Sequence, residues 1–140
     1  MSDKPVVLSV DDEQFFQEVI KEALEPDFVV ICASNGREAL ELLAAQAPTI
    51  VILDVDMPEM NGYEICRQIR SNGDHADLPV LFLSGKDRIE DQLAGLEAGG
   101  DDYLTKPFHL DLLLTRIRNL SQLAEQRKCL RDSLRYATGT

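Results

Sequence analysis

Val6-Val7-Leu8-Ser9-Val10-Asp11-Asp12 and Ile50-Val51-Ile52-Leu53-Asp54 decide how this chain is read. Each is a short, continuous, largely β-branched run that ends in carboxylates. Runs of this kind lack the alternation of a half-exposed strand. They predict strands buried on both faces of a parallel sheet. In an open parallel sheet the carboxyl ends of the strands line one crevice, and ligands bind there. Asp11, Asp12 and Asp54 are therefore expected to converge at one edge. Crowded carboxylates repel, and burying them is costly unless positive charge compensates. Two groups can supply it: a hard divalent cation, and Lys106, which follows the strand-like Asp102-Tyr103-Leu104-Thr105. Carboxylates, one metal and one lysine suit phosphoryl chemistry.

Working outward, strands are expected at 5–10, 28–33, 49–54, 79–83 and 102–105, with helical patterns between them. Residues 13–25 place Phe16, Val19, Ile20 and Ala23 on one face. Asn35 with Glu38 three residues on predicts a helix over 36–46, stopped by Pro48. The loop Met57-Pro58-Glu59-Met60-Asn61-Gly62 carries turn signals, and a helix follows at 63–71. Asp87-Arg88-Ile89-Glu90 opens a helix over 88–98, ended by Gly99-Gly100. The last helix begins near His109. Five strands alternating with five helices predict an α/β fold, a flavodoxin-like doubly wound sheet of order 2-1-3-4-5 with an extended C-terminal helix. In that order the switch point falls between strands one and three, the strands that end in Asp11-Asp12 and Asp54.

The 140 residues allow one domain with a self-sufficient core. Cys32, Cys66 and Cys129 are odd in number and widely spaced, which fits thiols in a reducing compartment better than a disulfide framework. No run approaches the ~20 apolar residues of a membrane span, and the N-terminus shows no leader pattern, so a cytoplasmic location is expected. The net charge of −11 is uneven: residues 1–108 carry −14 and residues 109–140 carry +3. The acidic body argues against direct nucleic-acid binding. The basic tail reads first as a solvated helix face.

Asp54 is the candidate phosphoryl acceptor, since a carboxylate attacks phosphorus to form an acyl phosphate. Taken alone it would be a turn aspartate. Asp11 and Asp12 are candidate metal ligands, because Mg²⁺ takes one or two carboxylates with waters and phosphate oxygens. Mn²⁺ is a possible substitute. Asp12 could instead cap the first helix. The Asp56 backbone carbonyl is a plausible further ligand. Ser84, after Pro79-Val80-Leu81-Phe82-Leu83, could donate to a phosphoryl oxygen or be a plain turn residue. Lys106 could hold the phosphoryl group as a point charge. Pro107 biases Lys106 toward extended backbone and leaves a cis bond open. Tyr103 reads equally as pocket ring or edge packing.

Val10-Asp11-Asp12-Glu13, Leu53 to Gly62, Leu83-Ser84-Gly85 and Asp101 to Phe108, all in register, resemble the receiver domain of two-component response regulators. The resemblance covers roughly residues 4–121 and leaves 122–140 as a helical extension. It implies that a histidine kinase or histidine phosphotransfer protein passes a phosphoryl group to Asp54. It implies Mg²⁺ held by Asp12, Asp54 and the Asp56 carbonyl, with Asp11 assisting. It further implies that Lys106 and Ser84 contact the phosphoryl oxygens, that Tyr103 turns inward, and that the 88–119 face changes to control an output domain or partner. The chain would then be a switch rather than a turnover enzyme. Ser84 stands where threonine is commoner. Gly85 leaves room where alanine is usual. Gly99-Gly100 replaces Gly-Ala and is expected to loosen the turn. Asp56 and Lys86 occupy positions that tune phosphoryl lifetime.

From residue 120 on, Leu120, Leu123, Arg127, Leu130, Leu134 and Ala137 follow heptad steps. A parallel dimer stalk is the favoured reading and a helix folded back on its own domain the alternative. A stalk of this kind usually leads to an output domain. None fits in the remaining residues, so the chain reads as part of a longer one. Two rivals remain. Asp54-Val55-Asp56 resembles the nucleophile motif of haloacid-dehalogenase-like phosphatases, but it lies on the third strand and Pro58 breaks the motif. A receiver that only binds partners is opposed by the complete acidic site.

Overall fold

The computed structural model describes the backbone of residues 4–138 and the side chains of residues 4–134. Five strands, β1 (Val6–Val10), β2 (Val29–Ala33), β3 (Ile50–Leu53), β4 (Val80–Ser84) and β5 (Asp102–Thr105), alternate with five helices. These are α1 (Gln14–Leu24), α2 (Gly36–Gln46), α3 (Gly62–Ser71), α4 (Ile89–Glu97) and α5 (Leu110–Thr138). The strands are parallel in the order β2-β1-β3-β4-β5, as expected. Every residue of β3 and β4 is buried, whereas edge strands β2 and β5 are only partly covered. Continuous apolar runs therefore mark the central strands because helices cover both of their faces.

Two apolar clusters sandwich the sheet. On one face Ala39 and Leu43 of α2, with Ile65, Cys66 and Ile69 of α3, pack on Leu8, Val51, Leu53 and Phe82. On the other, Ile20 and Leu24 of α1, with Leu113, Ile117 and Leu120 of α5, pack on Val7, Ile50, Ile52 and Leu81. Each fully buried Leu or Ile contributes roughly 1.5–3 kcal/mol. Helix α2 begins under an Asn35 cap, with the Asn35 side chain accepting from the Glu38 N–H at 2.8 Å.

Helix α2 ends at Gln46, as expected, with Ala47 at φ 45° as a left-handed cap directly before Pro48. Other local expectations are corrected. A short 3-10 turn, Gly73–His75, follows α3. Helix α4 begins one residue later than the Asp87-to-Glu90 pattern suggests: Arg88 is its N-cap, and the Arg88 N–H bonds the Asp91 carboxylate at 3.3 Å. Along α1 the buried positions include Gln17, a polar residue that the apolar pattern passed over. The Gly99-Gly100 turn is packed rather than loose. Gly99 sits at φ +105°, and a Cβ on Gly100 would lie 2.3 Å from the Phe82 ring. The ring occupies the space a methyl would need.

The heptad seam beyond residue 119 also divides differently. Leu120 and Leu123 join the core of their own domain, and Arg127 reaches Asp101 instead of standing in a helix–helix seam. Leu130 and Leu134 stay exposed. Ala137 lies outside the residues whose side chains are described. Among the described residues, no helix is long and apolar enough to cross a membrane.

Candidate functional site

The ends of β1 and β3 lie side by side, with Val10 opposite Leu53, so the next residues on each face the same crevice. The Asp54 N–H bonds the Val10 carbonyl at 2.9 Å, and the Asp11 N–H bonds the Ala33 carbonyl at 3.0 Å. Carboxylate oxygens of Asp11, Asp12 and Asp54 all come within 4.8 Å of one another. Asp11 and Asp54 are buried, while Asp12 is exposed at the rim. The convergence expected of the three acids is therefore what the fold produces.

Lys106, on the turn after β5, reaches across to them. Its Nζ lies 2.8 Å from Asp11 and 3.8 Å from Asp54. The ammonium also sits 4.0 Å over the Phe16 ring, a contact that the sequence pattern did not suggest. The bond between Lys106 and Pro107 is cis. Asp11 additionally accepts from the Glu13 N–H at 2.9 Å. This bond holds the turn before α1; the N-cap residue of that helix is Glu13, with no side-chain cap, rather than Asp12 as the capping alternative had it.

One ammonium does not balance three carboxylates. Burial raises Asp54, and nearby Asp11 raises it further, while Lys106 and a hydrogen bond from the Asp56 backbone lower it; the balance leaves its pKa at about 7. A carboxylate held so far above its ordinary range lies in a site short of positive charge. Crowded oxygen donors and that shortfall fit a hard divalent cation.

Ser84 ends β4, fully buried, with its Oγ accepting from the Lys86 N–H at 3.1 Å. A Cβ on Gly85 would meet nothing within 4 Å, so the space beside Ser84 is open. Asp56 and Lys86 form an ion pair of 3.4 Å at the mouth. Tyr103 is half-buried, its ring 6.0 Å from Phe82 and its hydroxyl donating to the Lys86 carbonyl at 2.8 Å. The ring therefore packs on Phe82 while the hydroxyl is tied to the loop after β4. Gly62 supports the site from below: a Cβ there would lie 2.4 Å from the Asp54 carbonyl oxygen.

Gln17 was missed because a polar residue on a helix's inner face looks like noise in a hydrophobic pattern. Its Nε2 donates to the carbonyls of Ser9, Asp11 and Ala33 at 2.8–3.1 Å, tying together the strand ends that carry the acids.

The fold and the site together define a doubly wound α/β domain with an acidic crevice, an opposed lysine and a buried serine at the carboxyl edge of its sheet. The chain belongs to the response regulator receiver domain family, whose model matches residues 7–118. It is 48% identical over 115 residues to the response regulator MprA of Mycolicibacterium vanbaalenii, covering 81% of this chain and 49% of that protein. The MprA of Mycobacterium leprae is 47% identical, with 81% of this chain and 50% of that one covered. The chain spans about half the length of these curated relatives. Among solved structures it resembles Vibrio cholerae chemotaxis protein CheY4, with a TM-score of 0.80 and 29% identity over 84% of this chain and 98% of that one. It also resembles the signal receiver domain of a histidine kinase from Syntrophus aciditrophicus, with a TM-score of 0.78 and 34% identity over 84% of this chain and 90% of that one. The chain is thus a receiver domain of two-component signalling.

Proposed function

We propose that Asp54 accepts a phosphoryl group from the phosphohistidine of a sensor kinase or histidine phosphotransfer protein, and that the 88–119 face then changes to control an output domain or partner. The observation that supports this best is the acidic crevice: three carboxylates within 4.8 Å, with Asp54 buried and opposed by Lys106. In the transfer, an Asp54 carboxylate oxygen attacks phosphorus, an O–P bond forms, and the P–N bond to the imidazole breaks with its electron pair leaving on nitrogen. Lys106 holds charge on the phosphoryl oxygens, and the Ser84 hydroxyl donates to one of them. Asp11, Asp12 and Asp54, with the Asp56 backbone carbonyl, would hold Mg²⁺ or Mn²⁺. Bound there, the cation would neutralise the acids and the transferring oxygens.

Residues 4–121 act as the receiver unit and 122–140 as its helical extension. The chain works as a switch in the cytoplasm, where kinase phosphohistidine is made, and not as a turnover phosphatase. Hydrolysis of the acyl phosphate resets it. A second copy would meet the extension through Leu130 and Leu134, the exposed apolar positions of the seam.

Beryllofluoride, a tetrahedral phosphoryl mimic, tests the switch. With Mg²⁺ it should shift the amide resonances of Ser84–Arg88, α4 and β5 in the wild type and leave Asp54→Asn unchanged. A saturated wild type with no shifts in β5 would remove Tyr103 from the mechanism.

A further inference from the structure

The family match ends at residue 118, but α5 runs on to Thr138. Its continuation does not stand clear of the domain. Leu120 is buried, and Ser121, Leu123, Ala124 and Arg127 are partly covered on the face turned to the receiver. The fit is loose in apolar terms, because a groove of about 570 Å³ runs between this helix and the base of the sheet. The firm contacts are ionic.

Arg127 grips Asp101 with both terminal nitrogens, at 2.5 and 3.4 Å, and donates to the Asp77 carbonyl at 2.8 Å. One turn on, Arg131 bonds both carboxylate oxygens of Asp77 at 2.5 and 2.6 Å. Asp101 is a hub. Its Oδ2 also accepts from Arg70 of α3 at 3.1 Å and from the Val80 N–H at 2.9 Å. Arg70 in turn donates to the carbonyls of Gly99 and Leu78 at 2.9 and 2.6 Å. Partly buried, forked arginine–carboxylate pairs fix geometry more firmly than exposed lysine pairs.

The hub sits at the roots of two particular strands. Val80 begins β4, which ends in Ser84; Asp101 immediately precedes β5, which carries Tyr103 and leads to Lys106. Ser84 ends β4, Lys106 lies just past the tip of β5 and Tyr103 only two residues from Asp101, while the roots of both strands hold the arginine of the extension.

We propose that the base of the receiver is a docking surface for the chain's own basic helical extension, built on Asp101 and Asp77 and gripped by Arg127 and Arg131. Through it the extension is coupled to the strands that carry Ser84, Tyr103 and Lys106. This accounts for the uneven charge, an acidic body carrying a basic tail. The coupling rests on the phosphoacceptor reading; the docking does not.

The test is amide hydrogen exchange over residues 122–134 in the full chain. In the unphosphorylated protein, Arg127→Gln and, as a second variant at a less buried position, Asp77→Asn should each exchange about tenfold faster or more there, with α1 and β1 unchanged. Wild-type protection in both variants would overturn the docking. After acetyl phosphate and Mg²⁺, with the adduct counted by intact mass, exchange over 122–134 should change in wild type and stay constant in Arg127→Gln. A fully phosphorylated wild type with unchanged exchange would overturn the coupling. Absence of the adduct itself would count against Asp54 as acceptor and against the coupling that rests on it, and leave docking to be decided by the first comparison.

Discussion

Asp54→Asn should make the metal-free protein more stable at pH 8, by about 2–4 kcal/mol. The folded chain holds Asp54 at about pH 7, against an ordinary value of 3.8, because burial and Asp11 disfavour its charge. The sign follows from proton binding. Between pH 3.8 and 7 the folded state keeps a proton that the unfolded state has lost. Stability therefore falls as pH rises through that window, and the full cost is present above it. Asparagine has the same shape and no charge, so the cost disappears. Urea unfolding in EDTA should show the advantage of Asp54→Asn at pH 8 shrinking as pH falls toward 4. Added Mg²⁺ should stabilise wild type at pH 8 and the variant much less. A wild type at least as stable as Asp54→Asn at pH 8 would mean that the crevice is not strained by charge.

Lys106→Met has the opposite effect on stability and the larger one on chemistry. Lys106 is nine-tenths buried, and among the described residues it is the cation that faces both Asp11 and Asp54. Removing one partner of a buried pair leaves uncompensated charge, which costs about 3–5 kcal/mol. Asp54, which Lys106 holds down, should then titrate above its present value of about 7. Phosphoryl uptake from acetyl phosphate should fall about a hundredfold or more, the scale on which one preorganised electrostatic contact acts. Adding Asp11→Asn to Lys106→Met should restore part of the stability and none of the uptake. Recovery of both together would make Lys106 a purely structural residue.

The architecture was legible because its signals are local. A continuous β-branched run says that a strand is covered on both faces, and alternation with helices fixes a parallel sheet. The site was legible because topology brings strand ends together: once β1 and β3 are neighbours, Asp11, Asp12 and Asp54 must meet. What escaped was contact between groups far apart in sequence whose local pattern suits another purpose. Arg127 sits at a heptad position, and nothing nearby says that its partner is Asp101, 26 residues away. Gln17 interrupts an apolar face, and only the folded chain shows three carbonyls waiting for its amide. Gly100 looks like a loose turn until the Phe82 ring is placed against it.

The central claim, that Asp54 is the phosphoryl acceptor, is tested most directly by intact mass after incubation with acetyl phosphate and Mg²⁺, for wild type and Asp54→Asn. A single phosphoryl adduct in wild type alone, lost when EDTA replaces the metal, is the predicted result. An equal adduct in both proteins, or none in either, would contradict it.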